Sequence, residues 1–240
     1  MERKMLIGMI ILIASFIIIL LLIFRLNLGG TTDAEICRNS LVLRDKPLGD
    51  FVSSIDCKTS YLCVSGGGDC EVTASEKFVV DPKNKEEIMK ILADEMSSCW
   101  WQFGEGKIDF RANPREGGTA ITCAVCSLVN FKDIPQEEET ISYAEFYNYL
   151  RTTQKIKSQT YLQYLYSENN LDFLSEDYLN NNLELNKQYF ILTAITKDSI
   201  WSYTPFVRLY INPDYQPPII LEQNKDNYDQ LKCDEFVNKA

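Results

Sequence analysis

Hydrophobic positions are laid out along this chain in three ways. From Met5 to Phe24 they are continuous, twenty residues without a charge, rich in Ile and Leu and interrupted only by Gly8, Ala14 and Ser15. At ~1.5 Å rise per residue, a helix of this length spans ~30 Å, the thickness of a bilayer's hydrocarbon core. A secretory signal has a shorter apolar core of ~7–15 residues and a small-x-small cleavage site. Arg25-Leu26-Asn27-Leu28-Gly29-Gly30 supplies no such site. The pattern predicts an uncleaved signal-anchor over 5–28 whose partner is the lipid bilayer, with a short tail at 1–4 and a flexible tether at 29–36. Arg3 and Lys4 favour the tail on the cytoplasmic side, which places the rest of the chain outside the cytoplasm.

Helical spacing is the second pattern. Ile88, Leu92, Met96, Cys99 and Phe103 recur at three- and four-residue steps and predict one buried stripe. Asp81 is read as the cap, with Pro82 first in the helix and Glu86 and Glu87 at the positive end of the dipole. Gly104 or Gly106 ends it. Ser142-Tyr143-Ala144-Glu145 has the form of a capping box and starts a second helix whose stripe begins at Phe146 and Leu150. A further helix is predicted over 160–166.

Alternation and short apolar runs make the third pattern. Strands are predicted at Leu41-Val42-Leu43, Phe78-Val79-Val80, 107–110, 119–131, 189–196 and 200–211. Lys197-Asp198-Ser199 turns between the last two, and Pro217-Pro218 leads into the apolar run Ile219-Ile220-Leu221. In 119–131, Ile121, Cys123, Val125, Val129 and Phe131 are expected on one face. Strands and helices together indicate an α+β fold over 37–240, with a subdomain boundary near 132–141 where Pro135 and three glutamates intervene.

The eight cysteines, Cys37, Cys57, Cys63, Cys70, Cys99, Cys123, Cys126 and Cys233, all lie beyond the apolar run. An even number in that part of the chain predicts up to four disulfides and an oxidising, extracytoplasmic compartment. Cys63 and Cys70 flank Gly66-Gly67-Gly68, a natural hairpin tip, and are expected to pair. A bond from Cys233 to the first half of the chain would tie the two ends together. None of the sixteen asparagines begins a glycosylation sequon. Past Leu28 there are 33 acids against 21 bases, so a general basic surface for nucleic acid is excluded.

The chain contains no histidine, which excludes Ser-His-Asp and Cys-His nucleophiles and His-ligated metals. Gly104-Glu105-Gly106-Lys107 lacks the earlier glycine and the following Ser/Thr of a phosphate loop. Glu105 is the candidate acid/base carboxylate, with Asp94, Glu95, Asp109 and Glu116 as sequence neighbours that could partner it. Trp100, Trp101 and Phe103 form the candidate partner-binding cluster. Cys123-Ala-Val-Cys126 has the spacing of a metal or redox pair, but residues three apart on a strand face opposite ways. Twelve of the thirteen tyrosines follow residue 140, either as a recognition surface or as half-buried filling. The expected protein is a single N-terminal transmembrane helix followed by a disulfide-stapled mixed α/β ectodomain. Its expected role is binding or structural, toward an unidentified protein partner and without a cofactor. A Glu105 hydrolase and a Cys123/Cys126 metal or redox protein are the alternatives.

Overall fold

The computed structural model describes residues 12–18, 32–44, 55–70, 73–81, 84–111, 121–134, 140–195, 215–231 and 233–237. The chain divides into two compact units, Met1–Thr32 and Asp33–Ala240. In the first, residues 12–18 are helical, and Leu12, Ile13, Phe16, Ile17 and Ile18 are exposed. Among the described residues no helix is long and apolar enough to cross a membrane; the rest of the 5–28 run lies outside them.

The second unit is a mixed α+β domain. Helix α1 covers Asp33–Arg44, where a strand was expected at 41–43. Cys37, Ser40 and Leu41 point inward while Leu43 is 58% exposed, so the i, i+3, i+4 spacing outweighs the Leu-Val-Leu triplet. Strands β1 (Ser60–Ser65) and β2 (Glu76–Val79) follow, then the long helix α2 (Lys85–Gln102). Its cap is Asn84, whose side chain accepts from the Glu87 amide, three residues later than the expected cap at Asp81. The predicted stripe from Ile88 to Phe103 is fully buried.

Strand β3 (Thr122–Lys132) is central. Next come β4 (Thr140–Ser142) and α3 (Tyr143–Thr152), capped as expected by Ser142. Strands β5 (Gln154–Ile156) and β6 (Gln159–Thr160) form a small antiparallel pair. Helix α4 (Tyr161–Tyr166) opens on a full capping box at Thr160 and Gln163. The chain continues through α5 (Glu176–Leu179), β7 (Asn182–Glu184), β8 (Tyr189–Ile195), β9 (Tyr215–Glu222), α6 (Lys225–Leu231) and β10 (Glu235–Phe236).

The main sheet has the order β2-β1-β3-β8-β9, with β10 on the first residues of β3. Strand β1 runs parallel to both β2 and β3, and β8 is antiparallel to β3 and β9. Residues 66–68 are therefore not a hairpin tip: they begin a short crossover to a parallel strand. A Cβ at Gly68 would meet Asp133 Oδ2 at 1.5 Å, so a larger residue there would displace the Asp133 carboxylate. The expected strand at 107–110 is instead the turn after α2, where Phe110 packs edge-to-face on Phe103 at 5.0 Å. Thr196 and the expected turn and strand over 197–211 lie outside the described residues.

Helix α2 packs against β3, β8 and β9, and α1 and α4 pack against α2. The register of β3 slips by one between Val125 and Ser127. A slip reverses which side each later residue faces, and a bulge turns two consecutive residues the same way. Cys126 accordingly bonds Cys99 on α2, and neighbouring Ser127 donates to Glu95, one turn earlier on that helix. The expected single stripe is split: Ile121 and Cys123 sit in a small cluster with Ala194, while Val129 belongs to the main core.

Four disulfides use all eight cysteines. Cys37–Cys57 holds α1 to the segment before β1, and Cys63–Cys70 closes the loop after β1 as expected. Cys99–Cys126 fastens α2 to the sheet. Cys123–Cys233 spans 110 residues and fastens the C-terminal segment to the middle of the chain.

Candidate functional site

The block around Glu105 is assembled where α2 ends. Three consecutive residues take left-handed backbone conformations: Gly104 (φ 84°), Glu105 (φ 56°) and Gly106 (φ 72°). Glycine adopts this freely; for Glu105 it costs ~1–2 kcal/mol. The turn aims the carboxylate at three donors. Tyr164 Oη of α4 donates to it at 2.8 Å, Arg38 of α1 lies at 3.8 Å and Lys107 at 3.9 Å. Burial first, then the bond to Glu105, pushes Tyr164 well above the ordinary phenol value, so it stays protonated and donating.

Arg38 also stacks on Trp101, its guanidinium carbon 4.7 Å from the ring centroid, and donates to the Trp101 carbonyl. Trp100 and Phe103 are buried in the main core. The expected partner-binding cluster is thus divided: two of its members are core, and Trp101 is covered by Arg38. The arrangement binds α1, the end of α2 and α4 together, and its chemistry is that of a compensated carboxylate. The neighbouring acids have other engagements. Asp94 takes Lys90 at 2.7 Å and Tyr161 at 2.5 Å, Glu95 takes Ser127, and Asp109 takes Arg111. Glu116 lies outside the described residues.

Cys123 and Cys126 are each bonded to a different partner, Cys233 and Cys99, so neither sulfur is a free thiolate here. Among the described residues no group of three His, Cys, Asp or Glu side chains is placed to hold a metal ion.

The tyrosines form a second constellation, with hydroxyls aimed at β9. Tyr143 (α3) and Tyr178 (α5) both donate to the Ile220 carbonyl, at 3.1 and 3.2 Å, and Tyr166 (α4) donates to Pro218 at 2.6 Å. Tyr147 Oη lies 3.1 Å from that of Tyr166 and 3.3 Å from that of Tyr178. Both neighbours spend their protons on β9, so the single Tyr147 proton serves two acceptors. Burial pushes all four phenols above their usual value; neighbouring tyrosines add to the rise at Tyr143, Tyr166 and Tyr178, while at Tyr147 the bonds to Tyr166 and Tyr178 partly offset it.

Behind this cluster opens a polar cleft of about 340 Å³. Tyr143 and Tyr178 form its floor, their rings 4.5 Å apart. Asn180, Asn181 and Asn182 from one chain segment and Asn224 and Asn227 from another line it. Glu184 and Glu222 make a wall that Lys187 bridges at 3.1 Å to each. The sequence marks Asn180-Asn181-Asn182 only as a loop and gives no sign that residues 222–227 line the same cleft; the fold alone brings the two segments together. A second cleft of about 200 Å³, half apolar, lies beside β1 and β3 near Cys63 and Lys132. No family model matches the chain, and no curated protein or solved structure matches it.

Proposed function

We propose that this protein is a single-pass membrane-anchored, extracytoplasmic binding or structural domain. The observation that carries the proposal is the pairing of all eight cysteines in four disulfides spread over the domain. Such bonds persist in oxidising compartments and are reduced in the cytosol. The anchor rests on the uncharged run Met5–Phe24 and is supported by the helical, exposed apolar side chains at 12–18. A binding rather than catalytic role is favoured because Glu105 is tied to Arg38, Lys107 and Tyr164.

Alkylation of native membranes before and after reduction, read by mass spectrometry, tests it. Few or no free thiols before reduction is the expected result; mostly free cysteines would reverse the topology. At roughly 2–4 kcal/mol per disulfide, four bonds together match a typical domain stability of ~5–15 kcal/mol. Excess dithiothreitol should therefore unfold the domain near room temperature, and an unchanged melting curve would refute the stapled architecture.

A further inference from the structure

We infer that the asparagine-lined cleft between α5, β7, the end of β9 and α6 is a binding site for a neutral sugar or similar polyol, an inference that rests on the domain being an extracytoplasmic binding protein. Its volume of about 340 Å³ lies at the lower end of small-molecule sites, ~300–1,000 Å³. The walls present amides rather than apolar groups, and they come from two chain segments some forty residues apart.

Two of these amides are oriented by the local backbone. Asn224 Oδ1 accepts from the Asn227 amide at 2.8 Å, and Asn227 Nδ2 donates to the Glu222 carbonyl at 2.9 Å. That leaves Asn224 Nδ2 as a donor and Asn227 Oδ1 as an acceptor for a ligand. The Asn180 and Asn182 side chains have no hydrogen-bond partner among the described residues and are exposed. A carboxamide carries an acceptor and two donors side by side, and each sugar hydroxyl both donates and accepts, so adjacent hydroxyls complement such a lining.

Charge narrows the choice. Lys187 already occupies the position between Glu184 and Glu222 that a cation would take. An anion would face both carboxylates on a chain of net charge −10. At the floor, the Tyr143 and Tyr178 hydroxyls are engaged with Ile220, leaving ring carbon for the C–H face of a sugar. These rings are buried, so the stacking area is small and the amides carry most of the recognition.

The test is saturation-transfer NMR on the full-length chain in nanodiscs, free of sugar-headed detergent, with methyl α-mannoside, N-acetylglucosamine and cellobiose as probes. Transfer to the ring protons of at least one sugar is expected. Asn180→Ala combined with Asn182→Ala, both exposed positions, should lower affinity about three- to tenfold, the equivalent of one or more lost hydrogen bonds. Lys157→Ala, exposed and remote in sequence, should change nothing. No transfer to any probe, or transfer that survives the double substitution undiminished, overturns the inference. A thiol count on the same sample separates the two levels. Intact disulfides with no transfer discard the cleft alone, whereas free thiols discard the extracytoplasmic reading and the sugar site with it.

Discussion

Glu95 lies within α2 and Glu105 just past its end, and their surroundings set different consequences. Glu95 meets Ser127 across the helix–sheet interface. Burial pushes its carboxyl above the usual range, Ser127 partly offsets this, and Glu76 and Asp94 raise it further. A raised folded value means that its contribution to stability is present at acid pH and is lost as pH rises through that value. Glu95→Gln, which can still bond Ser127, should therefore melt higher than wild type at pH 7.5, with the difference closing toward pH 4. Equal melting at both pH values would show that the carboxyl is not perturbed. At Glu105 the left-handed backbone and the bond from Tyr164 oppose each other. Glycine relieves the first while losing the second; alanine keeps the strain and loses the bond. Glu105→Ala should be less stable than Glu105→Gly by about 1 kcal/mol, measured by denaturant titration.

Strand β9 shows how an element with poor credentials is made to work. Pro217 and Pro218 lack amide protons, and prolines are confined to sheet edges or bulges. Here they have both. Strand β9 is the outer strand, and the two prolines stand opposite the single residue Thr193, between the pairs Leu192↔Ile219 and Ala194↔Gln216. The outward carbonyls of Pro218 and Ile220 would be buried without donors, and tyrosines from three helices supply them. Tyr166→Phe removes the donor to Pro218 and should cost about 1–3 kcal/mol. Tyr147→Phe removes a proton shared by two acceptors whose own donations survive, and should cost only about 0.5–1.5 kcal/mol. The reverse order in chemical denaturation would place the weight of the network on Tyr147 instead. The late clustering of tyrosine thus has a structural cause, invisible to a pattern search because a phenol's acceptor is set by packing.

For the molecule as a whole, the same network predicts a sharp alkaline limit. Tyr143, Tyr147, Tyr166 and Tyr178 are all pushed above their ordinary value by burial, and Tyr189 is pushed up to about 12 for the same first cause. Above pH 10 the unfolded chain ionises these phenols and the folded chain does not, so stability falls by about 1.4 kcal/mol per pH unit for each. A late, steep part of the tyrosinate absorbance should coincide with the loss of circular dichroism. Ionisation of all thirteen tyrosines with the spectrum intact would contradict the buried cluster.

Local spacing alone was enough for α2, α3, α4, β3, β8 and the Cys63–Cys70 bond, because a buried stripe, a capping side chain or a short cysteine loop is decided within a few residues. The pattern also indicated disulfides throughout, since cysteine number and placement reflect redox chemistry rather than contacts. The remaining three pairings, the parallel course of β1 and β2, the helix in place of a strand at 41–43, and the β3 slip that turns Cys126 and Ser127 toward α2 depended on partners distant in the chain. So did both polar constellations: Glu105 acquires its meaning from Arg38 and Tyr164, and the cleft exists only where residues 180–184 meet 222–227. Short-range periodicity reports which side of an element is buried, while the identity of what covers it is a long-range property that only the folded chain possesses.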